Sequence, residues 1–197
     1  MWDCSVKSGF YQLEPMAPLG DFGHVLVHGQ YVPNPFRKEG LYHRAGPDVP
    51  PLAMPRSSTL VVAGDALAPL TEIEPSIVSK TVQDPRLVRI DWRKICRTGV
   101  LPRRLQNCEP DEMLNDPKQV AIPPGELPVL HEVELAEGAV CLAGSAFGIS
   151  KRSWRGDQLF AVVRYGTTML VATHLAKVSL ETSGLAEFIH FSPVPAS

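Results

Sequence analysis

No apolar run in the 197-residue sequence approaches the ~20 residues that a membrane-spanning helix needs, so no membrane partner is expected. Neither charge is in excess: 19 Lys and Arg face 21 Asp and Glu, for a formal net charge of -2. Chains that bind phosphate backbones without sequence preference carry a strong positive excess, so nucleic acid is not an expected partner. The four cysteines, Cys4, Cys96, Cys108 and Cys141, never form CxxC. That removes the close thiolate pairs of zinc cages and redox motifs, and free thiols are the expectation. The opening stretch MWDCSVKSGFYQLEP has Asp3 early and no apolar core of the secretory kind. A cytoplasmic location follows as an expectation.

What the chain has in quantity is proline, 19 residues, about twice the usual ~5% share. Apolar residues at 44% and charged residues at 20% are ordinary globular values. A single domain over 1–197 could bury roughly 70% of its unfolded surface without disulfides. Should it divide, lobes 1–105 and 106–197 are the expected pieces. The pattern predicts an α+β fold, with mixed sheets of short strands and a few short helices.

The most legible stretch runs from Leu159 to Val194. Leu159 to Arg164 reads as a strand, Tyr165-Gly166 as a turn and Thr168 to Ala172 as a second strand. Thr173 stands at a helix N-cap, Leu175, Val178 and Thr182 follow at helical spacing, and Gly184 suits a left-handed cap before a closing strand. Thr59 to Ala63 (TLVVA) matches Thr168 to Ala172 (TMLVA), and a helix over Asp65 to Ile73 follows it. Two related strand-helix-strand halves, an internal duplication, are therefore expected.

Elsewhere Phe10 to Leu13 reads as a strand, and so does His24 to His28 (HVLVH). Gln30 to Pro55, with six prolines, reads as a long loop in which only Leu41-Tyr42-His43 is extended. Leu87 to Trp92 reads as an alternating strand with Val88, Ile90 and Trp92 on one face. Pro110 to Leu114 suggests a helical turn, Ile122 to Gly125 a turn, and Leu130 to Leu135 and Ala139 to Ala143 strands. Gly144 to Arg155 is a polar loop anchored by Phe147 and Trp154.

Motifs for chemistry are incomplete. On a strand His24 and His28 would stand about 13 Å apart, too far for one metal ion. His131-Glu132-x-Glu134 lacks the second histidine of a zinc-protease helix. In Gly144-Ser145-Ala146-Phe147-Gly148 the serine is one position short of a nucleophile elbow. No catalytic residue, metal or cofactor is expected. Arg86, Arg89, Arg93, Lys94, Arg97, Arg103 and Arg104 form the densest positive region, and Glu109, Asp111, Glu112 and Asp116 follow it. Such a region is either a solvated face or a patch for an acidic partner, where charge speeds encounter.

From Leu41 onward the chain has Gly46-Pro47 leading into the Thr59 to Leu70 strand and helix. Leu159-Phe160, Thr168 to Val171, Gly184-Leu185 and Phe191-Ser192-Pro193-Val194 follow in order. This series resembles the immunity proteins of bacterial contact-dependent and polymorphic toxin systems, in the group named for a double CXXCG motif. Both CXXCG motifs are absent here, so no metal is carried over, and the first forty residues match nothing in that pattern. The resemblance implies an antitoxin that binds one cognate toxin and blocks its active site or substrate access. An inhibitor of that kind needs aromatic or cationic anchors, for which Tyr42, Arg44, Trp92, Arg93, Lys94, Arg97 and Trp154 are the candidates. Two other readings stay open. One is a small enzyme acting on a nucleotide or modified protein, with His43 and Arg44 beside Glu132 or Glu134. The other is an adaptor or structural module of a secretion system.

Overall fold

The computed structural model describes residues 9–34, 37–110, 112–116, 118–123, 126, 128–141 and 148–196. Its elements in chain order are β1 (Phe10–Pro15), α1 (Gly20–His28), β2 (Gln30–Asn34), β3 (Arg37–Gly46), β4 (Leu52–Arg56), β5 (Thr59–Ala63), α2 (Gly64–Ile73), β6 (Val78–Thr81), β7 (Arg86–Arg89), α3 (Trp92–Thr98), β8 (Leu130–Glu134), β9 (Leu159–Arg164), β10 (Thr167–Thr173), α4 (His174–Thr182) and β11 (Ile189–Val194). This is an α+β fold. Its strands form three sheets in the orders β11-β1-β10-β9, β4-β5-β8-β6 and β2-β3-β7.

Two units of the same order build the first two sheets. In one, the hairpin β4-β5 runs into α2 and then β6; in the other, the hairpin β9-β10 runs into α4 and then β11. Leading strands are exchanged: β1 pairs between β10 and β11, and β8 pairs between β5 and β6, antiparallel in every case. The two sheets share one core, to which β5 contributes Leu60 and Val62, β10 contributes Leu170 and Ala172, α2 contributes Ala66 and Leu70, and α4 contributes Ala176 and Leu180. Side chains alternate along a strand, so this core sets the register of the repeat. Leu60 corresponds to Leu170, one residue later than the TLVVA and TMLVA strings align. Ala63 and Thr173 then fall together as the N-cap positions of α2 and α4.

The segments between these elements associate with one another. β3 pairs with β7 in parallel, β2 flanks β3 antiparallel, and α1 packs against α3. Around them lies a second core of Val25, Leu26, Val27, Val88, Ile90, Trp92, Ile95 and Leu105.

Three expectations are corrected. His24 to His28 belongs to helix α1, not a strand, because Val25, Leu26, Val27 and His28 are all buried and such a run suits a helix enclosed by the core. Gln30 to Pro55 is not a loop, since it carries β2, β3 and β4. Its prolines leave residues 37–46 free for the central strand of the third sheet, and Pro55 lies in β4 at a sheet edge. The strand through Leu87 stops at Arg89, and Trp92 opens helix α3 because the Asp91 carboxylate accepts the Lys94 N–H at 2.9 Å.

The terminal unit matches its reading closely. The Thr173 hydroxyl accepts the Ala176 N–H at 3.2 Å, and Gly184 has φ 72° after α4. Leu175 and Val178, though at helical spacing, are exposed; Ala176 and Leu180 face inward. Cys141 pairs in a lone bridge with Ile149 where the Ala139 to Ala143 strand was expected. Part of that stretch lies outside the described residues, as do Cys4, Asp111, Pro124, Gly125 and Phe147. Among the described residues no helix is long and apolar enough to cross a membrane.

Candidate functional site

Helix α3 is short, yet both ends are fixed: Asp91 caps its first turn, and Gly99 with φ 67° closes its last by donating to the Ile95 carbonyl. Trp92 anchors it from below. Its ring is buried edge-on to Phe188 at 5.3 Å, and its indole N–H donates to the Asp48 carbonyl at 2.7 Å. Arg93 lies across this aromatic pair, 4.7 Å from the Trp92 ring and 5.8 Å from the Phe188 ring. Its two terminal nitrogens donate to the Glu187 carboxylate at 3.0 and 3.3 Å, and Asp48 stands 3.9 Å from Nε. The bonds from Glu187 hold the guanidinium above its ordinary pKa. Stacking plus a forked carboxylate leaves this side chain little rotamer freedom.

Lys94 and Arg97 point outward from the same helix. In the turn that follows, Leu105 is buried in the core around α3 while Arg103 and Arg104 are exposed. Among the described residues, none of these four cations has a carboxylate partner. Arg93 is neutralised by Glu187 and Asp48, so the positive field of this face comes from its neighbours.

The seven anchor candidates therefore separate. Arg93, Lys94 and Arg97 come together on the α3 face. Tyr42, Arg44 and Trp92 are buried and present no side chain to a partner in this conformation. The Tyr42 hydroxyl donates to the His28 carbonyl at 2.6 Å. Arg44 donates to the carbonyls of Ala45, Val27 and Asp48, and its Nη1 has no partner. Burial lowers the Arg44 pKa. Trp154 lies far along the chain, packed edge-on against Phe10 at 5.4 Å with its N–H on the Asp157 carbonyl, so it anchors the 148–157 segment to the core.

The His24 and His28 rings are 5.1 Å apart on α1, far closer than strand geometry gives. His28 nevertheless has both ring nitrogens occupied. Nδ1 accepts the Met54 N–H at 3.1 Å, which fixes the proton on Nε2, 3.3 Å from the Met16 carbonyl. Burial, with His24 and Arg44 nearby, lowers its pKa to about 3. Among the described residues no three His, Cys, Asp or Glu side chains are grouped to hold a metal. Cys96, Cys108 and Cys141 are free, and burial raises the Cys96 and Cys108 thiols, which disfavours the reactive thiolate.

A second polar place lies where β2 and β3 meet β6 and β8, a cleft of about 400 Å³ lined by Tyr31, Tyr42, Lys80, Glu132 and Glu134. The Tyr31 hydroxyl donates to Glu132 at 2.5 Å, and Arg56 stacks on the Tyr31 ring at 4.8 Å. Burial first, then the bond to Glu132, raises the Tyr31 pKa. Tyr31 and Glu132 are a long way apart in sequence, and nothing in either neighbourhood announced the pair. His43 and Arg44, expected beside the two glutamates, are buried; His43 instead bonds Asn115 at 2.7 Å. Comparison with known protein families, curated proteins and solved structures returns no match for this chain.

Proposed function

We propose that the chain is an immunity protein that binds one bacterial effector toxin in the cytoplasm and neutralises it by covering its active site or substrate path. The observation that carries the reading is a group of four cations, Lys94 and Arg97 on a helix rooted by Trp92 and Arg103 and Arg104 in the turn that follows it, all exposed and without carboxylate partners among the described residues. Unneutralised charge on a fixed support speeds encounter with an oppositely charged protein surface and costs little ordering on contact. A protein partner suits this face better than a nucleic acid. The aromatic ring nearest the cations is buried under Arg93, which leaves no platform for base stacking. The resemblance to immunity proteins in the order of strands, helix and closing Phe191 to Val194 segment supports the same reading.

Co-expression tests it. The neighbouring open reading frame, expressed in bacteria alone, is expected to stop growth, and this chain is expected to restore it. A harmless neighbour, or growth arrest that the chain fails to relieve, counts against the reading. The Tyr31–Glu132 cleft favours the second reading, a small enzyme. A phenol and a carboxylate in direct contact could pass a proton to a bound nucleotide or modified side chain. Turnover abolished by Tyr31→Phe with an unchanged fold would support that alternative.

A further inference from the structure

Strand register decides what lines the cleft between the second and third sheets. Side chains alternate along a strand, and Leu130 of β8 points into a small core shared with Tyr42, Val61 and Leu87. Glu132 and Glu134 stand on that same face of β8, and Lys80 of β6 is paired opposite Glu132. Across the cleft, Tyr31 and Tyr42 are cross-strand neighbours on β2 and β3, their rings 5.4 Å apart and tilted by 44°. The cleft therefore has an acidic wall and an aromatic wall around a space of about 400 Å³, the size of a small-molecule site.

The chain already holds a cation against each wall. The Lys80 ammonium bonds the Glu134 carboxylate at 2.5 Å, and the Arg56 guanidinium lies 4.8 Å over the Tyr31 ring. Glu132 differs. Its Oε2 accepts the Tyr31 hydroxyl at 2.5 Å, and burial raises the pKa of that phenol, which keeps it neutral. Among the described residues no Lys, Arg or His nitrogen pairs with Glu132, and its Oε1 takes no donor. The side chain is partly buried, and a carboxylate drawn partly out of water attracts a cation more strongly than one on an open surface. The lining side chains carry two carboxylates against one ammonium, so the cleft is net negative. The phosphates of a nucleotide would meet the acidic wall, which disfavours them.

We propose that this cleft is a binding site for a cationic group, a primary ammonium or a guanidinium, that pairs with Glu132 while its aliphatic stem lies along the aromatic wall. The proposal goes beyond both functional readings and requires neither. Tyr31 fixes the orientation of the Glu132 carboxylate, and the stem of such a cation covers apolar surface while its head stays at the polar group. A free amine and a lysine or arginine side chain of a partner share this chemistry.

The probe is 1,5-diaminopentane, titrated into the full chain by calorimetry at pH 7, with 1,5-pentanediol as the uncharged analogue. The diamine is expected to bind at least about tenfold more tightly than the diol. Glu132→Gln, whose amide oxygen still accepts the Tyr31 hydroxyl, is expected to weaken the diamine at least about tenfold. Amide shifts induced by the diamine in the wild-type chain make the test independent of how that variant folds, and they are expected at Tyr31, Gly40, Thr81 and Glu132. Equal binding of diamine and diol, wild-type affinity in Glu132→Gln, or shifts confined to other acidic surfaces such as Glu109 and Glu112 would overturn the proposal. The purified product of the neighbouring open reading frame then separates the two sources. Competition between it and the diamine assigns the cleft to a lysine or arginine of that partner, whereas binding that the diamine leaves unchanged assigns it to a free amine or guanidine. If the product does not bind at all, the immunity reading fails while the diamine titration still decides the cleft.

Discussion

Leu60 of β5 and Leu170 of β10 occupy equivalent places in two hairpin-helix units and fill one shared core from facing sheets. The pairing assigns Met169 to the opposite face of its strand, where it is only half-buried. Truncating the two leucines is expected to be similarly expensive: Leu60→Ala and Leu170→Ala each lose ~3 kcal/mol in denaturant unfolding. Met169→Ala is expected to lose ~1 kcal/mol. A Met169→Ala cost equal to that of Leu170→Ala would put the repeat back in the register of the pentapeptide match.

His28 makes stability depend on mild acid. Its folded pKa, about 3, lies below the ordinary 6.5, so the neutral ring favours folding and protonation opposes it. That stability is complete above pH 6.5 and is lost as pH falls toward 3, at up to ~1.4 kcal/mol per pH unit. Urea midpoints measured between pH 7 and 5 are expected to fall for the wild type and to stay nearly flat for His28→Gln.

Glu74 ties α2 to the start of β9. One carboxylate oxygen accepts the N–H groups of Gln158 and Leu159 at 2.6 and 3.2 Å, and the other accepts the Ser76 N–H and hydroxyl. Burial acts to raise its pKa, but the bonds from Ser76, Leu159 and Gln158 outweigh it and the net shift is downward. Its contribution is therefore present above the unfolded value of 4.5 and is lost as pH falls through the lower folded value. Glu74→Ala is expected to cost ~3 kcal/mol at pH 7, because buried donors lose their acceptor, and clearly less at pH 3. The difference in unfolding free energy between wild type and Glu74→Ala at the two pH values checks this, because His28 is present in both chains and its own pH dependence cancels.

Gly29 closes α1 with φ 74° where the chain turns back under β3. A Cβ there would lie 2.7 Å from the His43 carbonyl oxygen and 2.9 Å from side-chain atoms of Arg44 and Tyr42. Gly29→Ala is expected to lose ~2–4 kcal/mol, combining the left-handed backbone with a clash against buried groups. Gly166→Ala, with nothing within 4 Å of its added Cβ, isolates the backbone part and is expected to cost ~1 kcal/mol.

Local signals made the β9-β10 hairpin, α2, α4 and β11 readable. Gly166, Thr173 and Gly184 each dictate a turn or cap without help from the rest of the chain. Where the sequence misled, the deciding partner was distant. The run Val25-Leu26-Val27 carries no period, and only enclosure by Val88, Ile90 and Trp92 makes it a helix. Between Gln30 and Pro55 the six prolines together point to a loop, although their positions leave residues 37–46 free of proline for a strand. Asp91 was readable as a cap for α3, since Lys94 follows at the spacing its carboxylate serves. The cationic cluster on α3 was visible from composition alone, whereas the burial of Tyr42, Arg44 and Trp92 was not, because large aromatic and cationic residues carry no local sign of being enclosed.

Association kinetics between this chain and the purified product of the neighbouring open reading frame test the immunity reading and its docking face together. The expected result is a one-to-one complex whose association rate falls with added salt. That rate should drop at least about tenfold when Lys94, Arg97, Arg103 and Arg104 are all changed to Gln, with dissociation little altered. No complex with the wild-type chain, or a quadruple variant that associates at the wild-type rate, would contradict it.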